Sequence, residues 1–125
     1  MAMNWLRFLS DRFRKPKRLH PESLWHVAAD AYGFRATDQT GKTMVAPREN
    51  LAAIVIETND SGPWGADLWW LLYGVDGQLI CGFPEGATGE ESVVHELQSL
   101  PGFDNVEMTK AMGCTSNATF IVWRR

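Results

Sequence analysis

Cysteine is scarce, with only Cys81 and Cys114 present, 33 positions apart. Neither belongs to a Cys-x-x-Cys pair or has a histidine near it, so the spacing argues against a disulfide framework and a zinc ligand set. Both read as free thiols of a reducing compartment. Long apolar runs are missing too. None exceeds the length of Leu68 to Tyr73, far short of the roughly 20 residues that a bilayer span requires. Near the start, Arg7, Asp11 and Arg12 interrupt the continuous apolar segment of an export signal. These absences predict a cytoplasmic protein. Local catalytic signatures are also wanting. There is no Gly-x-Ser-x-Gly, and Gly86-Ala87-Thr88-Gly89 lacks the Lys-Ser/Thr of a phosphate loop and runs into Glu90 and Glu91, which repel phosphate. Internal repeats and low-complexity tracts are lacking as well.

What is present is ordinary for a globular domain: 45% apolar and 22% charged residues in a chain of 125. A chain of this length buries roughly two-thirds of its unfolded surface and needs no staples. The formal charge of −3 is unevenly spread. Residues 1–20 hold six basic side chains (Arg7, Arg12, Arg14, Lys15, Lys17, Arg18) against Asp11, a net +5. The remainder, with six basic against fourteen acidic side chains, carries −8. An acidic body argues against nucleic acid as a partner, because phosphate contacts need clustered Lys and Arg.

Two parts follow from this: a basic amphipathic arm over 1–20 and a single α+β domain over 21–125. In the arm, Trp5, Leu6, Leu9 and Phe13 fall on one stripe of a helical wheel, with Arg7 and Arg14 opposite. Lys15-Pro16 ends that helix. In the body, short segments separated by turns predict strands at Leu24 to Ala29, Phe34 to Thr37, Thr43 to Ala46 and Leu51 to Thr58. Asp67 to Tyr73 and Gln78 to Phe83, joined through Val75-Asp76-Gly77, predict a hairpin. Thr88 and Glu91 have the spacing of a capping box before a helix carrying Val93, Leu97 and Leu100; Asp104 and Glu107 repeat it before a second helix. Ala118 to Trp123 makes a last strand. The order implies a predominantly antiparallel sheet, rolled or in two layers and covered on one side by the C-terminal helices. A pleckstrin-homology-like roll is one candidate, and such a fold is too widely used to specify function.

The tryptophans, six in all, are the strongest pointer to a site. Trp69 and Trp70 are adjacent on a strand, so their rings point to opposite faces. One reading packs Trp69 under the helix stripe of Val93, Leu97 and Leu100, with Trp70 filling the other side. The other reading groups Trp64, Trp69 and Trp70 with Asp60 and Asp67 as a partner-binding surface. Glu57, Asp60 and Asp67 also form a candidate carboxylate cluster for a metal-dependent reaction, whereas Glu90 and Glu91 are explained by the helix dipole. His95 reads as a solvent residue of the helix, His26 as a strand residue alternating with Trp25 and Val27, and His20 as part of the linker. No catalytic residue, resident metal or cofactor is expected.

The runs Ile54 to Trp64 with Asp67-Leu68-Trp69-Trp70, Leu97 to Asn105 including Leu100-Pro101-Gly102-Phe103-Asp104-Asn105, Ala111-Met112 and Phe120 to Trp123 resemble a group of small bacterial proteins of unassigned function. The resemblance covers about residues 23–125 and leaves out the arm. Proteins of this size and texture include immunity proteins that neutralise a neighbouring toxin, which implies a protein partner and no catalysis. Three roles are therefore open. The first is a non-enzymatic protein-binding domain, immunity-type or regulatory, and the second a peripheral membrane module held by Trp5, Leu6, Leu9, Phe13, Arg7 and Arg14. The third is a metal-dependent enzyme. The arm itself fits packing on its own domain, packing on a second copy in a homo-oligomer, or partial disorder.

Overall fold

The residues described by the computed structural model are 21–60 and 67–125. The predicted arm helix and linker lie outside them, as does the segment 61–66 that contains Trp64. Chain entry is a 3-10 turn, Pro21–Leu24, closed by the Trp25 amide donating to the Glu22 carbonyl at 3.0 Å. That turn takes the first residues of the expected strand, so β1 is only His26–Ala29. β2 (Gly33–Thr37) and β3 (Thr43–Pro47) follow, and a second 3-10 turn, Arg48–Asn50, leads into β4, Leu51–Thr58. β5 (Leu68–Gly74) and β6 (Leu79–Pro84) make the predicted hairpin. Its turn is closed by the Gly77 amide on the Gly74 carbonyl at 2.9 Å, with Gly77 at φ +82°. The helices are α1 (Glu90–Gln98) and α2 (Asn105–Met112), and β7 (Ala118–Arg124) ends the chain.

Among the described residues these strands form two antiparallel sheets, ordered β1-β2-β3 and β6-β5-β4-β7. The protein is thus an α+β domain dominated by antiparallel pairing. β7 returns after the helices to pair with β4, which places β4 and β5 at the centre of the larger sheet.

Packing is one-sided for that sheet. Leu68, Trp70 and Leu72 of β5, Ile54 and Ile56 of β4, Phe83 of β6 and Val122 of β7 are buried in one cluster with Phe34, Ala36 and Ala46 of the small sheet and Val93, Leu97 and Ala111 of the helices. α1 lies on β1, α2 lies on β7, and β3 runs beside β6. The small sheet and both helices therefore share one face of the larger sheet. Thr58, the buried polar residue, donates its hydroxyl to the Ser116 carbonyl at 2.7 Å and ties β4 to the turn before β7.

One of the two expected capping boxes is absent. Thr88 is held outside the helix by a parallel bridge to β1: its amide donates to the Trp25 carbonyl at 2.8 Å, and its carbonyl accepts from the Val27 amide at 2.9 Å. Its hydroxyl donates to the Ser23 carbonyl. Gly89, at φ +93°, is the N-cap instead, without a side-chain cap. The second box holds in its main element, since the Asp104 carboxylate accepts from the Glu107 amide at 3.0 Å.

Candidate functional site

Strand alternation and register assign the two faces of the larger sheet. Trp69, Leu71 and Tyr73 of β5 point away from Leu68, Trp70 and Leu72. Register then aligns Glu57 with Trp69, Val55 with Leu71 and Ala53 with Tyr73; on β7, Thr119 stands beside Glu57 and Ile121 beside Val55. Gly82, opposite Leu71 on β6, adds no side chain, and the Leu71 methyl lies 3.3 Å from where a Cβ would stand. The outcome is an apolar band, Ile121–Val55–Leu71, running across the strands with Tyr73 and Trp69 on either side. Ile121 is 44% exposed, and Val55, Leu71, Tyr73 and Trp69 are half-buried. No described helix or strand packs over this band.

Trp25 covers one end. Its ring meets the Trp69 ring edge-on, centroids 5.5 Å apart and planes at 83°, the geometry that aromatic quadrupoles favour. Around that end the carboxylates of Glu57, Asp60 and Asp67 are exposed. The backbone holds the two aspartates close to the strand ends: the Asn59 amide donates to the Asp67 carbonyl at 2.9 Å, and the Asp60 amide donates to Asn117 Oδ1 at 3.2 Å. The band thus has an acidic rim on its Trp69 side and Arg124 on the other side, beside Ala53.

The expected tryptophan cluster is divided by this arrangement. Trp70 is fully buried and stacks on Phe83, with centroids 6.3 Å apart, so it belongs to the core and takes no part in a surface. The packing that put Trp69 under the helix stripe is reversed: Trp70 is the ring on the helix side, because α1 and the small sheet lie on the even-numbered face of β5. Trp69, Asp67 and Asp60 stay at the surface, while Trp64 lies outside the described residues. Sequence reasoning passed over Leu71, Val55, Tyr73, Ile121 and Trp25. Alternation around Trp69 pointed to Leu71 and Tyr73, but their neighbours on β4 and β7 follow only from the pairing.

The remaining chemistry-bearing groups are scattered. Among the described residues no three of His, Cys, Asp and Glu stand close enough to hold an ion together, so Glu57, Asp60 and Asp67 do not converge. His26 and His95 are exposed. Burial pushes the Cys81 thiol up to about 12. Hydrogen bonding with the Ser116 hydroxyl, with the Thr58 hydroxyl 3.5 Å away, holds the Cys114 thiol below its ordinary value. A cavity of about 390 Å³ is lined by Arg48, Leu51, Leu100, Pro101, Trp123, Arg124 and Arg125. Two of its arginines serve the fold. Arg125 donates to the carbonyls of Leu51, Arg48 and Glu49, and Arg48 donates to the Asp30 carbonyl and to Glu96.

No protein-family model, curated protein or solved structure matches this chain. The functional argument therefore rests on the geometry above. Among the described residues no helix is long and apolar enough to cross a membrane.

Proposed function

We propose that this chain is a non-enzymatic protein-binding domain whose contact surface is the outer face of the four-stranded sheet. One observation carries the reading: the Ile121–Val55–Leu71 band, flanked by Tyr73 and Trp69, has no described element packed on it. An apolar patch rimmed by polar residues is the usual mark of an interaction site. Tyr73 and Trp69 supply the large rigid rings that anchor interfaces. Glu57, Asp60 and Asp67 favour a partner with basic groups around an apolar centre, and attraction between the two makes association fast and salt-sensitive. A regulatory or immunity-type role, neutralising one protein by covering it, needs this kind of surface and no reacting group.

The test compares the wild-type chain with Leu71→Asp, Val55→Asp and Asp67→Ala, all at exposed or half-exposed positions. A partner that co-purifies with the wild type should be lost on Leu71→Asp and Val55→Asp while each variant keeps its thermal unfolding. Asp67→Ala should slow association and flatten its salt dependence. Retention of the partner by both band variants overturns the assignment.

A further inference from the structure

We infer that the cavity beside the Arg48–Asn50 turn, the α1–α2 connection and the end of β7 is a binding site for a small organic anion. Its carboxylate or phosphate head is held by Arg48, Arg124 and Arg125, and its apolar body lies against Trp123, Leu100 and Leu51. None of the residues of the outer apolar band lines this cavity, so the site stands or falls apart from the outer sheet face.

The first observation is where the cations of the body gather. Residues 21–125 hold six basic side chains against fourteen acidic ones, and three of the six, Arg48, Arg124 and Arg125, line this one cavity. Elsewhere a cation has its own acid: Arg35 pairs with Asp30 and Lys110 with Glu107, each at 2.7 Å. At the cavity only Arg48 has a carboxylate, that of Glu96 at 3.1 Å. Among the described residues Arg124 and Arg125 make no ion pair, in a body where acids outnumber bases. Like charges gathered without a counter-charge repel one another, and an oxyanion placed among them relieves that repulsion.

The second is that the donors are already set in place. Arg125 donates through Nε to the Leu51 carbonyl at 2.9 Å and through Nη2 to the carbonyls of Arg48 and Glu49. Arg48 donates through Nε to the Asp30 carbonyl at 2.9 Å and through Nη2 to Glu96, and its guanidinium lies 4.7 Å from the centre of the Phe34 ring. Both guanidinium groups are thereby held in one orientation, each with its Nη1 unbonded among the described residues. A planar donor fork fixed in this way loses little freedom when it meets a carboxylate or phosphate. Arg124 makes no hydrogen bond among the described residues, so its side chain can turn to the head group without breaking a contact of the fold.

The third is the lining. Trp123 and Leu51 are buried and Leu100 is half-buried. The Trp123 indole donates its N–H to the Pro101 carbonyl at 2.8 Å, so its polar atom is satisfied and the rest of the ring is apolar surface. The cavity measures about 390 Å³, within the usual range for small-molecule sites. A bare inorganic ion would leave most of that space and all of that apolar wall unused, which is why the ligand is an organic anion.

The experiment is a nuclear magnetic resonance titration of the isotope-labelled full chain with phenylbutyrate and with phenyl phosphate, and with phenylbutyramide as the neutral control. The anions should shift the Trp123 indole N–H and the Nε–H signals of Arg48 and Arg125, with low-millimolar dissociation constants, as expected for ligands of about a dozen non-hydrogen atoms. The amide should not. Arg124→Gln should weaken anion binding about fivefold, the upper end for one exposed ion pair, and Arg124→Glu should abolish it. Neither substitution removes a hydrogen bond of the fold, so the remaining signals should keep their places. Binding of one anion without the other keeps the site and names its head group. Equal shifts by the amide would make this an apolar pocket and overturn the anion site. Unchanged affinity in Arg124→Glu, anion shifts confined to residues away from Trp123, or no shift by either anion would overturn it as well.

Discussion

Trp25 and Trp69 meet edge to face, 5.5 Å between centroids and 83° between planes, and this contact fastens the entering chain to the outer side of the central sheet. Such pairs are worth about 1 kcal/mol beyond the area they bury. A double-mutant cycle of Trp25→Ala and Trp69→Ala, followed by urea unfolding, should therefore give a coupling of about 1 kcal/mol. Additivity of the two substitutions would show that the rings do not touch in solution.

The two faces of β5 can be distinguished by neighbouring leucines. Leu72 is fully buried and Leu71 is half-buried on the other side. Truncating a buried leucine leaves a cavity and costs about 2–5 kcal/mol. Leu72→Ala should fall in that range, and Leu71→Ala should cost less than about 1 kcal/mol, as substitutions away from the core usually do. Comparable losses would mean that the band is covered by a stably packed element.

Two glycines with the same backbone sign should respond differently. Gly77 has φ +82° and nothing within 4 Å of an added Cβ, whereas at Gly89, φ +93°, that Cβ would stand 2.3 Å from the Val27 carbonyl oxygen. Gly77→Ala should thus cost only the left-handed penalty, about 1–2 kcal/mol. Gly89→Ala should cost more, since β1 and the start of α1 must separate, and chemical denaturation of the two variants compares them directly. An equal loss at the two sites would place the start of α1 away from β1.

Folded protein treated with a thiol reagent at pH 8 should label one cysteine of two. Thiolate is the reactive form, and burial holds Cys81 at about 12 while the Ser116 and Thr58 hydroxyls lower Cys114. Ser116→Ala removes the largest cause and should slow the Cys114 reaction. Rapid labelling of Cys81 in the folded state would contradict its burial.

The elements most legible in the sequence were those fixed by local chemistry. The β-branched run Ile54-Val55-Ile56 marked β4, and Asp76-Gly77 marked the hairpin because its turn uses the positive φ found at Gly77. Asp104 capped α2 as its spacing implied. The errors lie where a long-range partner outbid a local preference. Thr88 has the residue type of an N-cap, but a bridge to β1 takes its backbone and Ser23 takes its hydroxyl. Period-two alternation placed Trp69 and Trp70 on opposite faces without telling which face the helices would cover. The site was half legible for the same reason, with Trp69 and Asp67 named in advance and Val55 and Ile121 joined to them only by the order β5-β4-β7.

Glu90 gives the domain a pH dependence of predictable sign. It opens α1, and its Oε1 accepts from the Gly86 amide at 2.9 Å. Burial raises its carboxyl above the ordinary value of 4.5, and the nearby Glu85 charge adds to the rise. The Gly86 amide and the Trp70 indole oppose it. Trp70 Nε1 makes no full hydrogen bond, so it compensates only weakly. A carboxyl with a raised folded value binds its proton more tightly in the folded state than in the unfolded one. Stability is then full below the unfolded value and declines as pH rises through the interval up to the folded value. Glu90→Gln keeps an oxygen for the Gly86 amide and has no charge to desolvate. It should match the wild type near pH 4 and melt higher at pH 7. Calorimetry at the two pH values decides the matter, and a melting difference that is the same at both would show that Glu90 is solvated in the folded protein.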